Sequence, residues 1–517
     1  MTDETQGNKN KNPTKWNWLD RAIEAVNPKA AYERLRWRSG ISGYDSGRIG
    51  RANAGWLPTN IQGEMANRHA RRLLRARAQD MERNSDVIIS ILDAYKRNII
   101  GRGFNLQSLT DITAFDEKAE KLWKEWCKPR NCDITGQQSF RELLNMIITR
   151  IIVDGEVFII KTYTGSKQFP FQLQIREAND LDGQGKMSND DNGNVVSDGI
   201  ELDKYSKPVA YYFLDTDPNG MSTNTPKRIE ADRVIYLWQR KRPSEYRGVS
   251  LLASVIERIH ELDDYFRAVS FMQKILASLC VFIKQTLPDG AAGRLGRGIK
   301  KILPDDDPAS RQQKVKAGQI MYLNPGEEVS TLVPSGNSAE AEGFGRQQQR
   351  MASAAMGLSL EATARDMSGM NYSSARQNLL EDTKTYVDWQ LWLKEHMLDE
   401  IYTEFLISSF LAGQFDMAPD FWENKEKYFS HRFIGQGMSW IDPLKEATAN
   451  ETMLATGQGT REEICAKAGK DWKEVLQQLA KEQAYIKELG LNLNEGSNAD
   501  ATNAIIAGDA KDDTTKK

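Results

Sequence analysis

Residues that carry chemistry are scarce in this chain. Its 517 residues include four cysteines (Cys127, Cys132, Cys280, Cys465) and four histidines (His69, His260, His396, His431). So few cysteines cannot staple a fold of this length, and they suit a reducing compartment. Cys127 and Cys132 have no second Cys or His pair at zinc spacing, and no two histidines share a helical turn, so no metal site is expected. Gly183-Gln-Gly-Lys186 lacks the upstream glycine and the following Ser/Thr of a phosphate-binding loop. Gly293-Arg-Leu-Gly-Arg-Gly298 does not sit between a strand and a helix. No Gly-x-Ser-x-Gly elbow is present. Nothing selects two of the 72 carboxylates as an acid–base pair. The expectation is no cofactor, no catalytic residue and no enzyme.

Charge of one sign is also missing. With 69 basic and 72 acidic residues the net charge is −3. A protein that coats nucleic acid draws its affinity from a basic excess, which is absent here, although a channel that DNA slides through needs none. Long apolar runs are missing too. The most apolar helical stretch, 268–283, is interrupted by Gln273 and Lys274 and is shorter than the roughly 20 residues of a bilayer span. The polar stretch 1–17 predicts no secretory signal.

What the chain does have is length and periodicity. At 40% apolar residues it can fill the cores of about two to four domains. Residues 1–15, polar and rich in Asn and Lys, predict a disordered arm, and 492–517 a low-complexity tail. Helical periodicity covers 16–38, 64–100, 116–127 and 139–153, with Gly101-Arg-Gly103 as a stop. The period falls to two over 156–162, 171–175, 209–214 and 234–238. That pattern predicts a small antiparallel β region across 154–240, with polar loops at 180–199 and 215–227. Arg68, Arg71, Arg72, Arg75 and Arg77 crowd one helix. A solvated face with i,i+4 pairing is the plain expectation for them, and a subunit interface or DNA contact the alternative.

The stretch 249–413 is the most informative. Residues 249–284 contain neither proline nor glycine and predict a helix about 50 Å long. Leu252, Val255, Ile256, Ile259, Leu262, Phe266, Val269 and Met272 keep three- and four-residue steps, while Glu257, Glu261, Asp264 and Arg267 face away. A compact insert follows, with a strand expected at 319–323. Arg294, Arg297, Lys300, Lys301, Arg311, Lys314 and Lys316 place seven positive charges within 23 of its residues. Helix resumes over 338–357, a loop occupies 359–375, and a second very long helix spans 373–412 with Ser373 or Ser374 as its N-cap. Residues 419–442 are aromatic and irregular. The segment 443–489 is helical, with Thr460-Arg-Glu-Glu463 as a capping box. Helices of this length point to coiled coils, spans or helical assemblies. The fold class read here is mixed α+β, mainly α.

Gly369-Met-Asn-Tyr-Ser-Ser-Ala-Arg376, followed by Asn378-Leu-Leu-Glu381, resembles the portal proteins of tailed phages of the lambda type. Four more segments are similar to that family: Ile91-Leu-Asp-Ala-Tyr-Lys-Arg-Asn-Ile-Ile-Gly101, Val153-Asp-Gly-Glu-Val157, Arg242-Pro-Ser-Glu-Tyr-Arg-Gly-Val-Ser250 and Pro325-Gly-Glu-Glu328. The likeness runs from about residue 20 to 440 in the expected order. It implies a wing at 16–248, a stem helix at 249–284, a clip at 285–337 and a second stem helix at 338–358. A tunnel loop at 359–375, a long wing helix at 376–413, a helical crown region at 414–489 and a disordered tail at 490–517 complete the subunit.

By the same resemblance, about twelve copies form a ring at one capsid vertex of the virion, assembled in the host cytoplasm. The implied partners are the chain itself, the terminase large subunit, the major capsid or scaffold protein, a head–tail connector and double-stranded DNA in the channel. No membrane is implied. Arg365, Met367, Ser368, Gly369, Met370, Asn371, Tyr372 and Arg376 would form the DNA-contacting loop. Glu257, Glu261 and Asp264 would line the stem channel, where weak repulsion leaves DNA mobile. The seven basic residues of the insert would face terminase, adaptor or DNA. Another ring-forming head or connector protein is the first alternative, and a DNA-acting hydrolase the second.

Overall fold

The computed structural model describes residues 18–27, 29–30, 60–166, 168–181, 193–215, 225–277, 281–285, 327–331, 338–415, 418–437 and 443–490. They fall in two compact units, 1–66 and 67–517. In the first, α1 (Trp18–Val26) is an amphipathic helix. α1 ends at Val26 because Asn27 precedes a proline, and a residue in that position is pushed away from helical backbone; 29–30 are helical again, and 31–38 of the helix expected over 16–38 lie outside the described residues.

Next along the chain are α2 (Gly63–Asn84), α3 (Asp86–Tyr95), β1 (Asn105–Ser108), α4 (Thr113–Trp126) and α5 (Phe140–Val153). Strands β2 (Glu156–Tyr163), β3 (Phe171–Arg176), β4 (Val195–Ser197), β5 (Ile200–Leu202), β6 (Pro208–Phe213), β7 (Lys227–Glu230) and β8 (Val234–Trp238) follow. Then come α6 (Ile256–Ala277), β9 (Val281–Gln285), β10 (Glu327–Thr331), α7 (Ser338–Ala355), α8 (Tyr372–Leu393) and α9 (Asp399–Leu411). The chain closes with β11 (His431–Ile434), α10 (Pro443–Thr456) and α11 (Trp472–Glu488).

The core is organised around α5. Ser139 caps it: its Oγ accepts from the Glu142 amide, while the Glu142 carboxylate accepts from the Ser139 amide at 2.7 Å. Phe140, Leu143, Leu144, Ile147, Ile148, Ile151, Ile152 and Val153 are all buried on this helix. Each such side chain contributes about 1.5–3 kcal/mol by leaving water. Strand β2 runs against α5 and is buried on both faces: Val157 and Ile159 join the main core, Phe158 and Ile160 a second one. The second core lies between two antiparallel sheets, β3-β2-β8 and β4-β5-β6-β7, with Phe158 stacked on Tyr236 at 4.5 Å.

Several expectations need correction. The helix expected over 64–100 breaks at Ser85 and ends in a wide π turn, Lys96–Ile100. That turn leaves the Ile99 carbonyl free to accept from Gln390 of α8 at 3.0 Å. The expected polar loop at 180–199 contains β4, and β7 begins where the second loop was expected to end. The first stem helix, expected to run unbroken over 249–284, consists of a 3-10 turn, Leu251–Ser254, and then α6, which stops at Ala277. Val281–Gln285 is instead a strand paired antiparallel with β10, from Val281↔Thr331 to Gln285↔Glu327. Val281-Phe-Ile is β-branched and aromatic, and the ladder with β10 satisfies its backbone where a lone helix end could not. The long helix over 373–412 forms, but with a π turn at Lys394–Leu398 between α8 and α9. Its cap is Asn371, not Ser373 or Ser374. Finally, β1 pairs with β11, register Asn105↔Ile434, so the irregular stretch after α9 closes onto the early chain.

Candidate functional site

The expected loop at 359–375 has a fixed base and an exposed tip. At the base, Ser359 caps the short helix Leu360–Ala364, its Oγ accepting from the Ala362 amide at 3.1 Å. Ser359 also donates from its amide and hydroxyl to Asp382 of α8, at 2.7 and 2.6 Å. Burial pushes the Asp382 carboxyl up, opposed by those two bonds. Thr363 Oγ1 lies 2.7 Å from Ser353 Oγ of α7, and the Thr363 carbonyl accepts from Ser90 of α3. Asn378 donates to Glu361 at 3.0 Å.

Beyond that base the chain turns out into solvent. Arg365 ends the short helix in the left-handed region at φ +55, and Gly369 sits at φ +78 with open space where a Cβ would be. Arg365, Met367, Ser368, Gly369, Asn371, Tyr372 and Arg376 are exposed, Met367 at 63% and Tyr372 at 52%; Met370 is half-buried. Arg346 of α7 holds the tip from below. It donates to the Ser368 carbonyl at 2.9 Å and pairs with Asp366 at 3.3 Å. Hydrogen bonds from Ser368, with Arg346 beside them, keep the Asp366 carboxyl below its ordinary value. A cavity of about 610 Å³ lies under the loop, lined in part by Ser90, Phe266, Val269, Arg346, Leu360 and Asp366. The loop thus offers two guanidiniums, a thioether, a phenol and backbone groups: a surface for contact, with no nucleophile set against a base.

Helices α6 and α7 pack closely because Gly345 lies under Phe266, where a Cβ would come within 2.3 Å of Cζ. Tyr265 meets Phe344 edge-on at 4.9 Å, and Arg258 donates to Gln348 at 2.9 Å. Glu257, Glu261 and Asp264 are all exposed on α6. Asp264 lies 3.7 Å from Arg267 and 3.6 Å from His260, exposed pairs that add little stability.

The sheets and the segment that leads into α6 meet at a buried ion cluster. Glu156, the first residue of β2, is fully inaccessible. It accepts from Arg247 Nε at 3.1 Å and again from Nη2, from Arg75 Nη2 at 2.6 Å, from the Tyr236 hydroxyl, and from the Gly248 amide at 2.9 Å. Burial alone would raise this carboxyl, but Arg247 and Arg75 prevail and hold it at about 2. Backbones also touch here: a Cβ on Gly155 would lie 2.2 Å from the Val249 carbonyl carbon, and one on Gly248 2.2 Å from the Gly155 oxygen. Ser250 then donates to the Ile152 carbonyl at 3.3 Å and caps the turn that leads into α6. So 153–157 and 242–250, two separate motifs in the sequence, are the two halves of one contact.

Several predicted residues find their place and others do not. The loop residues 365–376 share one exposed reach, and Glu257, Glu261 and Asp264 share the exposed side of α6. All seven basic insert residues, and the strand expected at 319–323, lie outside the described residues. The solvated-face expectation for the arginines of α2 fails at two positions. Arg71 is buried against Asp198 at 2.9 Å, and Arg75 against Glu156. Sequence reasoning missed Arg346, Ser359 and Asp382, which look like ordinary surface residues in their helices. It also missed the role of Glu156, although an acid opening the apolar run Val157-Phe-Ile-Ile160 was a visible oddity. The Cys132 thiol donates weakly to three carbonyls, the shortest contact at 3.5 Å, and burial pushes it up to about 12. Among the described residues no helix is long and apolar enough to cross a membrane, and no three His, Cys, Asp or Glu gather as metal ligands.

The sequence pattern described as phage portal protein, lambda family, matches residues 49–390. The probable portal protein of Halomonas phage phiHAP-1 is 26% identical over 436 residues, covering 81% of each chain. Portal protein B of Escherichia phage lambda is 22% identical over 460 residues, covering 80% of this chain and 84% of its own. Among solved structures, a chain in the neck of a native gene transfer agent particle, computed with C12 symmetry, superposes with a TM-score of 0.37 at 14% identity. The superposition covers 67% of this chain and 85% of that one.

Proposed function

The chain belongs to the lambda family of phage portal proteins, and from that premise we propose that copies of it, about twelve, close into a ring around a DNA channel. The family is structural, and the chain acts by geometry, making and breaking no bond. In this reading 16–248 is the wing, α6 and α7 the stem, 285–337 the clip, 359–375 the tunnel loop, 376–413 the long wing helix and 414–489 the crown.

One observation carries the reading: a loop pinned at its base by Ser359–Asp382 and Thr363–Ser353 presents an exposed tip of mixed chemistry. Repeated around a ring, Arg365 and Arg376 meet phosphates briefly, while Met367 and Tyr372 give apolar contact. Glu257, Glu261 and Asp264 line the stem and repel phosphate weakly, because strong neutralisation would trap the duplex. The basic clip residues face the terminase large subunit during packaging and a head–tail connector afterwards, and capsid or scaffold protein seats the ring at one vertex.

Deleting residues 366–372 tests the loop. Rings should still form, by native mass spectrometry and negative-stain microscopy, while packaging or DNA retention falls; unchanged packaging would refute the tunnel assignment. Deleting 286–333 should abolish terminase binding with rings intact. Binding that survives the deletion would refute the clip assignment, and a full chain that forms rings without binding terminase would favour a head or connector protein of another kind.

A further inference from the structure

The last three helices, α10, the short Arg461–Lys467 and α11, have no core of their own. Across residues 444–490 only Asp471 is buried, and it is the cap of α11, accepting from the Lys473 amide at 2.8 Å. Yet α11 is patterned for packing. Trp472, Val475, Leu476, Leu479 and Ile486 share one side, with Leu476 38% and Leu479 44% exposed. On α10, Leu444, Ala447 and Leu454 also share one side, with Glu451 between them. Next to that side, the Thr448, Thr452 and Thr456 hydroxyls turn back onto carbonyls of their own helix at 3.0, 2.9 and 2.8 Å. Helices this short are marginal in water unless such a face is covered.

Charge and composition narrow what covers them. The segment 443–490 carries seven basic and eight acidic residues, so it lacks the basic excess that holds nucleic acid. Lys473-Glu474, Lys481-Glu482 and Lys487-Glu488 alternate along α11, unlike the basic polar face of a membrane-surface helix. The following residues, 491–517, offer only Leu491, Leu493, Ile505 and Ile506 as large apolar side chains, too few to cover both faces. The base of the segment is fixed: Arg432 pairs with Glu462 at 2.8 Å, Lys124 with Glu474, and Asn105 donates to the Gly469 carbonyl at 3.4 Å. A head-to-tail contact in a ring needs two different patches on one chain, and α10 and α11 supply them.

Resting on the ring reading above, we infer that α11 of one copy packs Leu476 and Leu479 against the Leu444 and Leu454 face of α10 on the next copy. The segment is therefore consolidated only when the ring closes.

The test uses the full chain. Leu454→Cys with Leu479→Cys, in a Cys465→Ser background, should give a ladder of disulfide-linked multimers from oxidised rings. Leu476→Asp with Leu479→Asp should lower the ring population and speed amide exchange over 473–489 by roughly tenfold or more relative to wild-type rings. Exchange in α5 should not change, which would show that the subunit still folds. Rings that persist in the doubly charged variant, or a disulfide formed only within a chain, would overturn the inference and leave the ring reading standing. A wild-type chain that forms no ring at any concentration would overturn both.

Discussion

Replacing Glu156 by Gln should remove about 3 kcal/mol of stability at pH 7, and the loss should disappear in acid. The carboxylate is inaccessible and sits between Arg247 and Arg75, which hold it at about 2 against an ordinary 4.5. At roughly 1.4 kcal/mol per pH unit, that depression is worth about 3 kcal/mol, in line with the ~3–5 kcal/mol cost of removing one partner from a buried pair. Glutamine keeps the volume but leaves two buried guanidiniums without their anion. Because the folded value lies below the unfolded one, this stability is fully present above about 4.5 and is lost as pH falls towards 2. Wild-type and variant curves should therefore stand apart at neutral pH and converge across that window. Thermal unfolding followed by tryptophan fluorescence is the assay, with a fall in Tm of about 3 °C expected for a compact unit as long as 67–517. Glu381→Gln, which breaks an exposed pair with Lys384 and leaves an exposed acceptor for Gln377, is the control and should cost under ~0.5 kcal/mol. A loss below about 1 kcal/mol at pH 7, or a gap that does not narrow on acidification, would refute the assignment of this cluster as the clamp between β2 and the segment that leads into α6.

Other substitutions probe the remaining contacts. Arg346→Ala removes an ion pair whose side chains are 43% and 37% exposed, so Tm should move by less than the equivalent of ~1 kcal/mol. Amide exchange at Ser368, Gly369 and Met370 should nonetheless speed up; unchanged exchange would mean that α7 does not hold the loop tip. Gly248→Ala drives a methyl into the Gly155 carbonyl and should destabilise by at least about 1–3 kcal/mol in a thermal melt. Gly165→Ala, with open space around it, should stay within ~0.5 kcal/mol, and equal losses at the two sites would contradict the close-approach argument.

Much of this architecture is legible in the order of residues. Apolar steps of three and four place α5, α6 and α8, and alternation places β3, β6 and β8. The capping box at Thr460 forms as its spacing demands, with the Glu463 amide donating to Thr460 Oγ1 at 3.2 Å. These features depend on neighbours within about four residues, so a local window contains both partners of each interaction. The exposed tip between α7 and α8 follows the same rule, since Gly369 with Asp366, Ser368 and Asn371 interrupts the helical apolar period between the two helices.

Other features needed the folded chain. Glu156 and Arg247 stand 91 residues apart, and neither motif alone reveals that the other completes it. Nor does an arginine-rich helix show which of its cations will be buried: Arg71 and Arg75 are, Arg72 and Arg77 are not. The switch from α6 to β9 depends on β10, which returns 42 residues after Gln285, at Glu327, to pair with it. Local periodicity fixes which backbone forms, because it depends on short-range bonds and on a choice of face. Which charge is buried, and which strand finds a partner, is set by distant groups sharing a site shielded from water, and only the tertiary structure brings those groups together.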